Sequence, residues 1–156
     1  MQNSVRKTVI PFVTNDFFCE IERIYNEDGK ISDESLLALH AVFGPPLERA
    51  LEMLEKECVT LLTTPNDTRQ ALQCLHLQVS GGKGELYTLF PYINFCPCLA
   101  FAHQVAISQT HITCKHVLAA RLSQIMGRTI RKEATPEEVA RILCASAHAD
   151  KGATYL

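Results

Sequence analysis

The chain has 156 residues, 47% of them hydrophobic and 21% charged, with a formal net charge of −2. This composition suits one domain with a packed core and excludes an intrinsically disordered chain. The apolar runs are much shorter than a membrane span, and the start of the chain does not have the pattern of a secretory signal. We therefore expect no membrane association and a reducing compartment, where cysteines stay as thiols or bind metal.

Charge is unevenly distributed along the chain. Residues 16–57 contain eleven acidic and four basic residues, whereas residues 86–132 contain no Asp or Glu. An ordinary basic surface patch would explain this difference, and so would a phosphate-facing half joined to an acidic half that faces a protein. On the second interpretation, the candidate DNA-contacting residues are Lys115, Arg121, Arg128, Arg131 and Lys132.

Helical patterns dominate the first third of the chain. Residues 1–13 are predicted to form a flexible N-terminal arm. Apolar residues at helical spacing then predict a helix over 15–27, a second helix capped by Ser32, and a third that starts at the proline pair ending in Pro46. Because this helical region, 14–57, carries most of the acidic charge, we expect it to bind a partner.

Strand patterns follow the third predicted helix. The segment 58–63 is short and rich in β-branched residues, and residues 71–79 alternate between two faces. Residues 80–84 are rich in glycine and predict a hairpin connection to a third strand over 86–90. We therefore expect a small antiparallel sheet.

Helical patterns return in the last third of the chain. A weak pattern lies over 101–106, and a stronger one runs from 114 to 127, where a glycine ends it. Thr135, followed by a proline and two glutamates, has the pattern of a capping box that begins a last helix. Residues 147–156 are predicted to be a tail.

Four potential metal ligands have a regular spacing. They read Cys-x-Cys, fifteen intervening residues, then Cys-x-His, at Cys96, Cys98, Cys114 and His116. Zinc takes four such donors in a tetrahedron, and two ligands two positions apart on an extended segment point the same way. Three thiolates, an imidazole and Zn²⁺ sum to −1, which Lys115 and the start of the next helix would offset. We predict one structural zinc ion.

Other assignments for these residues are less favoured. Buried thiols beside a surface histidine are the plainest alternative. A disulfide between Cys96 and Cys98 would have poor geometry, and an iron–sulfur cluster usually takes four thiolates. His103 and His111 lie between the two ligand pairs, where either is a possible replacement ligand, although polar loop roles suit them better.

The remaining cysteines and aromatics have plainer explanations. The other four cysteines lie in apolar patterns, which predicts packed thiols; they are Cys19, Cys58, Cys74 and Cys144. Three aromatics, Phe90, Tyr92 and Phe95, precede or adjoin the metal motif. They are candidates for stacking on unpaired bases, but we favour a role on the core face of the hairpin.

The metal motif and its flanks resemble a known family. Cys-x-Cys followed by Cys-x-His is the signature of the SWIM-type zinc finger. Residues 95–102 and 114–119 look like the SWIM subunit of the Shu complex, whose extended pattern has an alanine three positions after the ligand histidine. Ala119 occupies that position, where a small residue would let the helix lie close against the metal-bearing hairpin. The resemblance covers roughly residues 30–128.

The resemblance has several implications for fold and function. It implies an α+β chain in which 58–128 forms the sheet and a zinc-binding ββα SWIM finger, followed by a C-terminal helix and tail over 129–156. It further implies a non-catalytic nuclear subunit of homologous recombination. Such a subunit forms a heterodimer with a RecA-like ATPase paralogue and supports the recombinase filament on single-stranded DNA.

Two other functional classes stay open on the sequence. One is a zinc-dependent interaction adaptor, for example in a ubiquitin ligase, because SWIM fingers also occur there. The other is an enzyme, which we favour least. Four protein ligands would close the metal site, and residues 86–132 offer no carboxylate as a nearby general base.

Overall fold

The computed structural model describes residues 3–64, 76–81 and 84–149. Within these ranges the chain has the predicted α+β architecture, with helices at both ends and a small sheet between them. The elements in chain order are α1 (Asn3–Asp28), α2 (Asp33–Phe43), α3 (Pro46–Glu55), β1 (Val59–Thr63), β2 (His76–Ser80), β3 (Leu86–Leu89), a π-helix (Phe101–Ile107), α4 (Lys115–Ile125), β4 (Ile130–Glu133) and α5 (Pro136–Ala149).

Helix α1 starts earlier than the sequence pattern predicted. The helix begins at Asn3, so residues 3–13, predicted as a flexible arm, have a helical backbone, while Met1 and Gln2 lie outside the described residues. Pro11 and the β-branched residues near it are unfavourable in a helix, so the sequence pattern did not predict one over this segment. Once a helix is nucleated, however, each further residue except proline can donate a hydrogen bond, so the helix can extend through a poor sequence.

Side-chain and glycine caps define several of the other helix ends. Ser32 Oγ accepts a hydrogen bond from the backbone N–H of Ser35 at 3.1 Å, which begins α2 as predicted. Gly44 (φ 63°) and Gly127 (φ 62°) adopt the left-handed conformation just after α2 and α4, where other residues would be strained. The predicted tail begins later than residue 147, because α5 extends to Ala149; residues 150–156 lie outside the described part.

The sheet is mixed, with strand order β3-β2-β1-β4. The three predicted strands pair antiparallel, as expected, but β4 adds a parallel partner to β1 that the sequence did not reveal. All four residues of β4 are exposed, and three of them are charged, so this edge strand lacks the apolar alternation of a strand pattern. Residues 71–75, also predicted as strand, lie outside the described residues.

The two faces of the sheet pack against different helices. Val59, Val79 and Leu89 are buried in the main core together with side chains of α3 and α4. On the opposite face, Leu62 joins Val139 of α5 in a second, smaller cluster. The sheet therefore lies between two helical layers, as is common for an α+β domain.

Helix α4 is the central helix of the main core. Eight of its eleven residues are buried, and it packs most extensively against α3, with further contacts to α1, β1 and β2. Ala119 is fully buried, as the predicted close packing requires, but the principal neighbour of its helix is α3 and not the hairpin. None of the described helices is long and apolar enough to cross a bilayer.

Candidate metal centre

The structure brings all four predicted ligands together. The ligand atoms of Cys96, Cys98, Cys114 and His116 lie within 4.8 Å of one another, and all four residues are buried. Cys96 Sγ lies 3.6 Å from His116 Nδ1. A tetrahedral zinc with Zn–S of about 2.3 Å and Zn–N of about 2.0–2.1 Å separates sulfur and nitrogen ligands by about 3.6 Å. The cluster can hold one metal ion, with Nδ1 as the histidine ligand.

Local backbone structure positions each pair of ligands. Cys96 and Cys98 lie in an irregular segment after β3, and the backbone N–H of Phe101, at the start of the π-helix, donates to Cys98 Sγ at 3.3 Å. Cys114 is the extended N-cap residue of α4, and His116 lies in the first turn. Sulfur and imidazole therefore lie at the positive end of α4, which favours negative charge on the thiolates.

Three thiols this close together cannot all ionise without a cation. Hydrogen bonds from Cys114 and Cys96 hold the pKa of Cys98 far below its usual range, whereas contacts with Cys114 and Cys98, together with burial, raise the pKa of Cys96. For Cys114, the Cys96 contact acts to lower the pKa, but the Cys98 contact and burial outweigh it and raise the pKa to about 11. Negative charge therefore concentrates on Cys98, and a dication would replace the remaining thiol protons.

Tyr87 fixes the ligand histidine from the side of the sheet. Its ring stacks on the His116 imidazole, with centroids 4.2 Å apart and an interplanar angle of 28°. Gly81 makes room for that ring, because a Cβ at this position would lie 3.0 Å from Tyr87 Cε2. The glycine-rich hairpin was visible in the sequence. The stacking of Tyr87 on His116, however, depends on the pairing register of the strands, which the sequence does not show.

Asn94 joins the two ligand-bearing segments. Its Nδ2 donates to the carbonyl oxygen of Ile112 at 2.9 Å, and its Oδ1 accepts from Thr113 Oγ1 at 2.7 Å. Asn94 lies two residues before the first ligand, Cys96, and Thr113 immediately precedes Cys114. These bonds hold the two cysteine segments at a fixed separation. Asn94 is not part of the ligand spacing, so this role was not predicted from the sequence.

Similarity to curated proteins identifies the family. Zinc finger SWIM domain-containing protein 7 of Danio rerio is 36% identical over 131 residues, which are 84% of this chain and 89% of that protein. The Homo sapiens protein of the same name is 31% identical, covering 86% of this chain and 92% of its own. The chain belongs to the zinc finger SWIM domain-containing protein 7 family. The resemblance to the SWIM subunit of the Shu complex is thereby confirmed, whereas no family model and no solved structure matches the chain.

The five basic residues of this family member do not form a single patch. Lys115 and Arg128 flank opposite ends of α4, whose eleven residues span about 16 Å. Lys115 is partly buried at the first position of the helix, and Arg121 is partly buried between aromatic rings. Arg128 is exposed, and so are Arg131 and Lys132 on the edge strand β4.

Several plainer predictions about cysteines and histidines can be compared with the structure. Cys58 packs partly buried against the core, but Cys19 and Cys144 are exposed, so the prediction of packed thiols is wrong for these two. Each lies on a helix that has one solvent-facing side, and the apolar pattern alone did not show that the cysteine lies on that side. Cys74 lies outside the described residues. His103 and His111 do not belong to the metal cluster.

The aromatics near the metal motif differ from the prediction of a core face. Phe90 is partly buried, but Tyr92 is 76% exposed and Phe95 is 41% exposed. Tyr92 has a positive φ of 64°, so the chain reverses at this residue and does not continue the alternation of β3. The core interpretation is therefore wrong for Tyr92 and Phe95.

Removing the ligand histidine tests the metal centre. We expect His116→Ala to lose the bound metal and to unfold at a much lower temperature, because metal binding contributes about 10–16 kcal/mol in structural zinc peptides. His103→Ala is the matched control, since this exposed histidine lies between the same two ligand pairs. Metal content and thermal melting of both variants provide the measurement. A His116→Ala protein with unchanged metal content and melting would contradict the assignment.

The link through Asn94 is tested by a double-mutant cycle. Asn94→Ala removes both bonds to the segment that precedes Cys114, so we expect about tenfold weaker metal affinity, as for other residues that orient metal ligands. Thr113→Val removes one of the same bonds. The double variant should then bind metal about as well as Asn94→Ala alone, measured by competition with a chelating dye. Fully additive losses would show that the two side chains act independently.

Proposed function

We propose that this protein is a non-catalytic accessory subunit of homologous-recombination repair that acts in the nucleus. In this proposal it forms a heterodimer with a RecA-like ATPase paralogue and supports the recombinase filament on single-stranded DNA. The supporting observation is the four-ligand cluster within the extended SWIM pattern of the Shu family, including the fully buried Ala119.

The proposed ion is a single structural Zn²⁺. Three thiols and one imidazole are the donor set of many structural zinc sites, and the sulfur-to-nitrogen separation of 3.6 Å fits tetrahedral geometry. The relatives are named for a zinc finger. Four protein ligands would complete the tetrahedron of such an ion and leave no position for a water molecule. This arrangement supports a structural role and a protein without catalysis at the metal.

The metal cluster links the sheet side of the molecule to the helical side. One ligand pair follows β3, and the other begins α4, the helix that packs most extensively on α3. An ion held by both pairs therefore fixes the position of α4 relative to the hairpin. Since α3 and α1 also pack on α4, the surface formed by the N-terminal helices depends on the metal indirectly.

The acidic N-terminal helices are the proposed surface for the ATPase paralogue. Exposed acidic side chains cover α1 to α3, and Leu37 on α2 is 71% exposed among them. Exposed carboxylates suit a partner with a complementary basic surface, because such charges accelerate and orient association. These exposed acids are Asp16, Glu20, Glu22, Glu27, Asp28, Asp33, Glu34, Glu48, Glu52 and Glu55.

Co-expression with a RecA-like ATPase paralogue tests the proposed pairing. We expect the two proteins to purify together at equal stoichiometry, with one zinc ion per copy of this chain. His116→Ala should abolish co-purification, whereas His103→Ala should preserve it. Recovery of ubiquitin-ligase subunits in place of the ATPase would favour the adaptor function and contradict this proposal.

The exposed basic residues after α4 are the proposed contacts with single-stranded DNA. We expect the heterodimer with Arg128→Glu and Arg131→Glu to bind DNA more weakly. The slope of log affinity against log salt should decrease in magnitude by about 1.4, roughly 0.7 for each phosphate that the variant no longer neutralises. Filter binding at several salt concentrations measures this slope.

A matched charge reversal controls for net charge. Arg49→Glu with Lys56→Glu changes two exposed basic residues on and after α3 by the same amount. We expect the heterodimer with this pair to retain the original salt slope, after gel filtration has shown that both double variants still form the heterodimer. Equal affinity and slope for the Arg128 and Arg131 variant would contradict a DNA contact there.

A further inference from the structure

Arg121 on α4 has a guanidinium group held between two aromatic rings. Its Cζ lies 5.0 Å from the ring centre of Phe18 and 4.8 Å from that of Tyr92. Nη2 donates a hydrogen bond to Asn15 Oδ1 at 2.9 Å. Asn15 is neutral, and the ion pairs found among the described residues involve Arg23 and not Arg121. The guanidinium is therefore partly buried without a carboxylate within ion-pair distance in that part of the chain.

This environment prepares the guanidinium to bind an anion. The two rings hold its plane, so less side-chain freedom is lost when its fork of N–H donors meets a planar acceptor. Burial lowers the pKa of Arg121, as expected for a cation that has lost part of its hydration. A carboxylate that pairs with two N–H groups would restore the lost interactions.

An open groove lies beside the guanidinium. Its apolar walls come from Phe18, Phe43 and Val117, which are contributed by α1, α2 and α4. The backbone segment before Cys96 closes the other side, where Asn94 and the buried Thr113 are already bonded to each other. The groove therefore offers apolar surface next to one accessible cation.

Tyr92 is held at the mouth of this groove in a strained conformation. Its φ of 64° lies in the left-handed region, which is sterically unfavourable for a bulky residue. The side chain is 76% exposed, and the neighbouring Ile93 is 55% exposed. An exposed aromatic beside an arginine is a combination enriched at the centres of protein interfaces. Residues kept in strained conformations also cluster at binding sites.

The charges around the groove favour a peptide over a nucleic acid. The acidic residues Asp16, Glu20 and Glu22 on α1 are exposed, and the charge of Glu22 acts on Arg121. A DNA strand would bring several phosphates near these carboxylates, and its sugars and phosphates would gain little from the apolar walls. A peptide can instead present one carboxylate to Arg121 and an apolar side chain to the groove.

We propose that this groove binds a segment of a partner protein in which an Asp or Glu lies next to an apolar side chain. The carboxylate pairs with the guanidinium fork of Arg121, and the apolar side chain lies against Phe18 and Val117. Tyr92 shields this ion pair from solvent, which strengthens the interaction by lowering the local dielectric constant. The proposal concerns binding chemistry alone, so it is independent of the proposed role in recombination.

Selection from random linear peptides displayed on phage tests this proposal with the zinc-loaded full chain. We expect the selected peptides to be enriched in Asp or Glu beside an apolar residue. Synthetic versions with the acid changed to Asn or Gln should bind about tenfold more weakly in fluorescence anisotropy, the typical effect of losing a hydrogen-bonded charge pair. Arg121→Gln should weaken binding of the acidic peptides by a similar factor and leave the amide versions unchanged.

Two further variants keep the outcome decisive. Tyr92→Ala changes an exposed residue, so it tests the groove even if Arg121→Gln loses zinc or melts early. We expect Tyr92→Ala to weaken binding of the acidic peptides severalfold. Arg49→Gln removes an exposed arginine on α3 and should have no effect. Selected peptides without acidic enrichment, or binding that neither groove variant weakens, would overturn the proposal. Displacement of the peptides by a thymidine oligonucleotide that binds more tightly through Arg121 would replace it with a nucleic-acid site.

Discussion

The convergence of three sulfur atoms and one imidazole nitrogen within 4.8 Å is the constraint on which the rest of the structure depends. The two ligand pairs are separated by fifteen residues, so their convergence determines the path of the intervening segment and of the π-helix within it. Neighbouring thiols resist joint ionisation, and a dication removes that cost by replacing their protons. Because α4 begins at Cys114 and then becomes the central core helix, the local chemistry at its first turn also fixes how the helical layers pack.

Residues that bind no metal hold the ligands from two directions. Tyr87 on β3 packs against the ring of His116, which ties the site to the register of the sheet. Asn94 bonds to the segment before Cys114, which ties the two pairs to each other. Gly81 in the preceding turn lies close to the Tyr87 ring, because a Cβ there would lie 3.0 Å from Tyr87 Cε2. Such contacts orient the ligands, and their loss commonly lowers metal affinity even when every ligand is retained.

The sequence predicted the features that local chemistry determines. The four candidate ligands were visible in residue type and spacing, and the start of α2 was visible in its Ser32 cap. Features set by tertiary pairing were missed. Strand β4 is polar, and its strand conformation depends on pairing with β1. Tyr87 can stack on His116 only because of the pairing register of β2 and β3. Tyr92 was assigned to the core because strand aromatics usually pack there, but a reversal of the backbone turns it to solvent.

The structure divides the basic residues into two kinds, and the distinction bears on how the proposed partners would be recognised. Arg128, Arg131 and Lys132 are exposed, so they suit a charged ligand through attraction that salt screens. Arg121 is clamped between rings beside an apolar groove, so it suits a planar carboxylate whose neighbours also fit the groove, and salt should weaken that contact less. Both surfaces adjoin α4, which starts at the metal cluster. A metal ion in that cluster would therefore hold both surfaces in place without contacting the DNA or the peptide that they are proposed to bind.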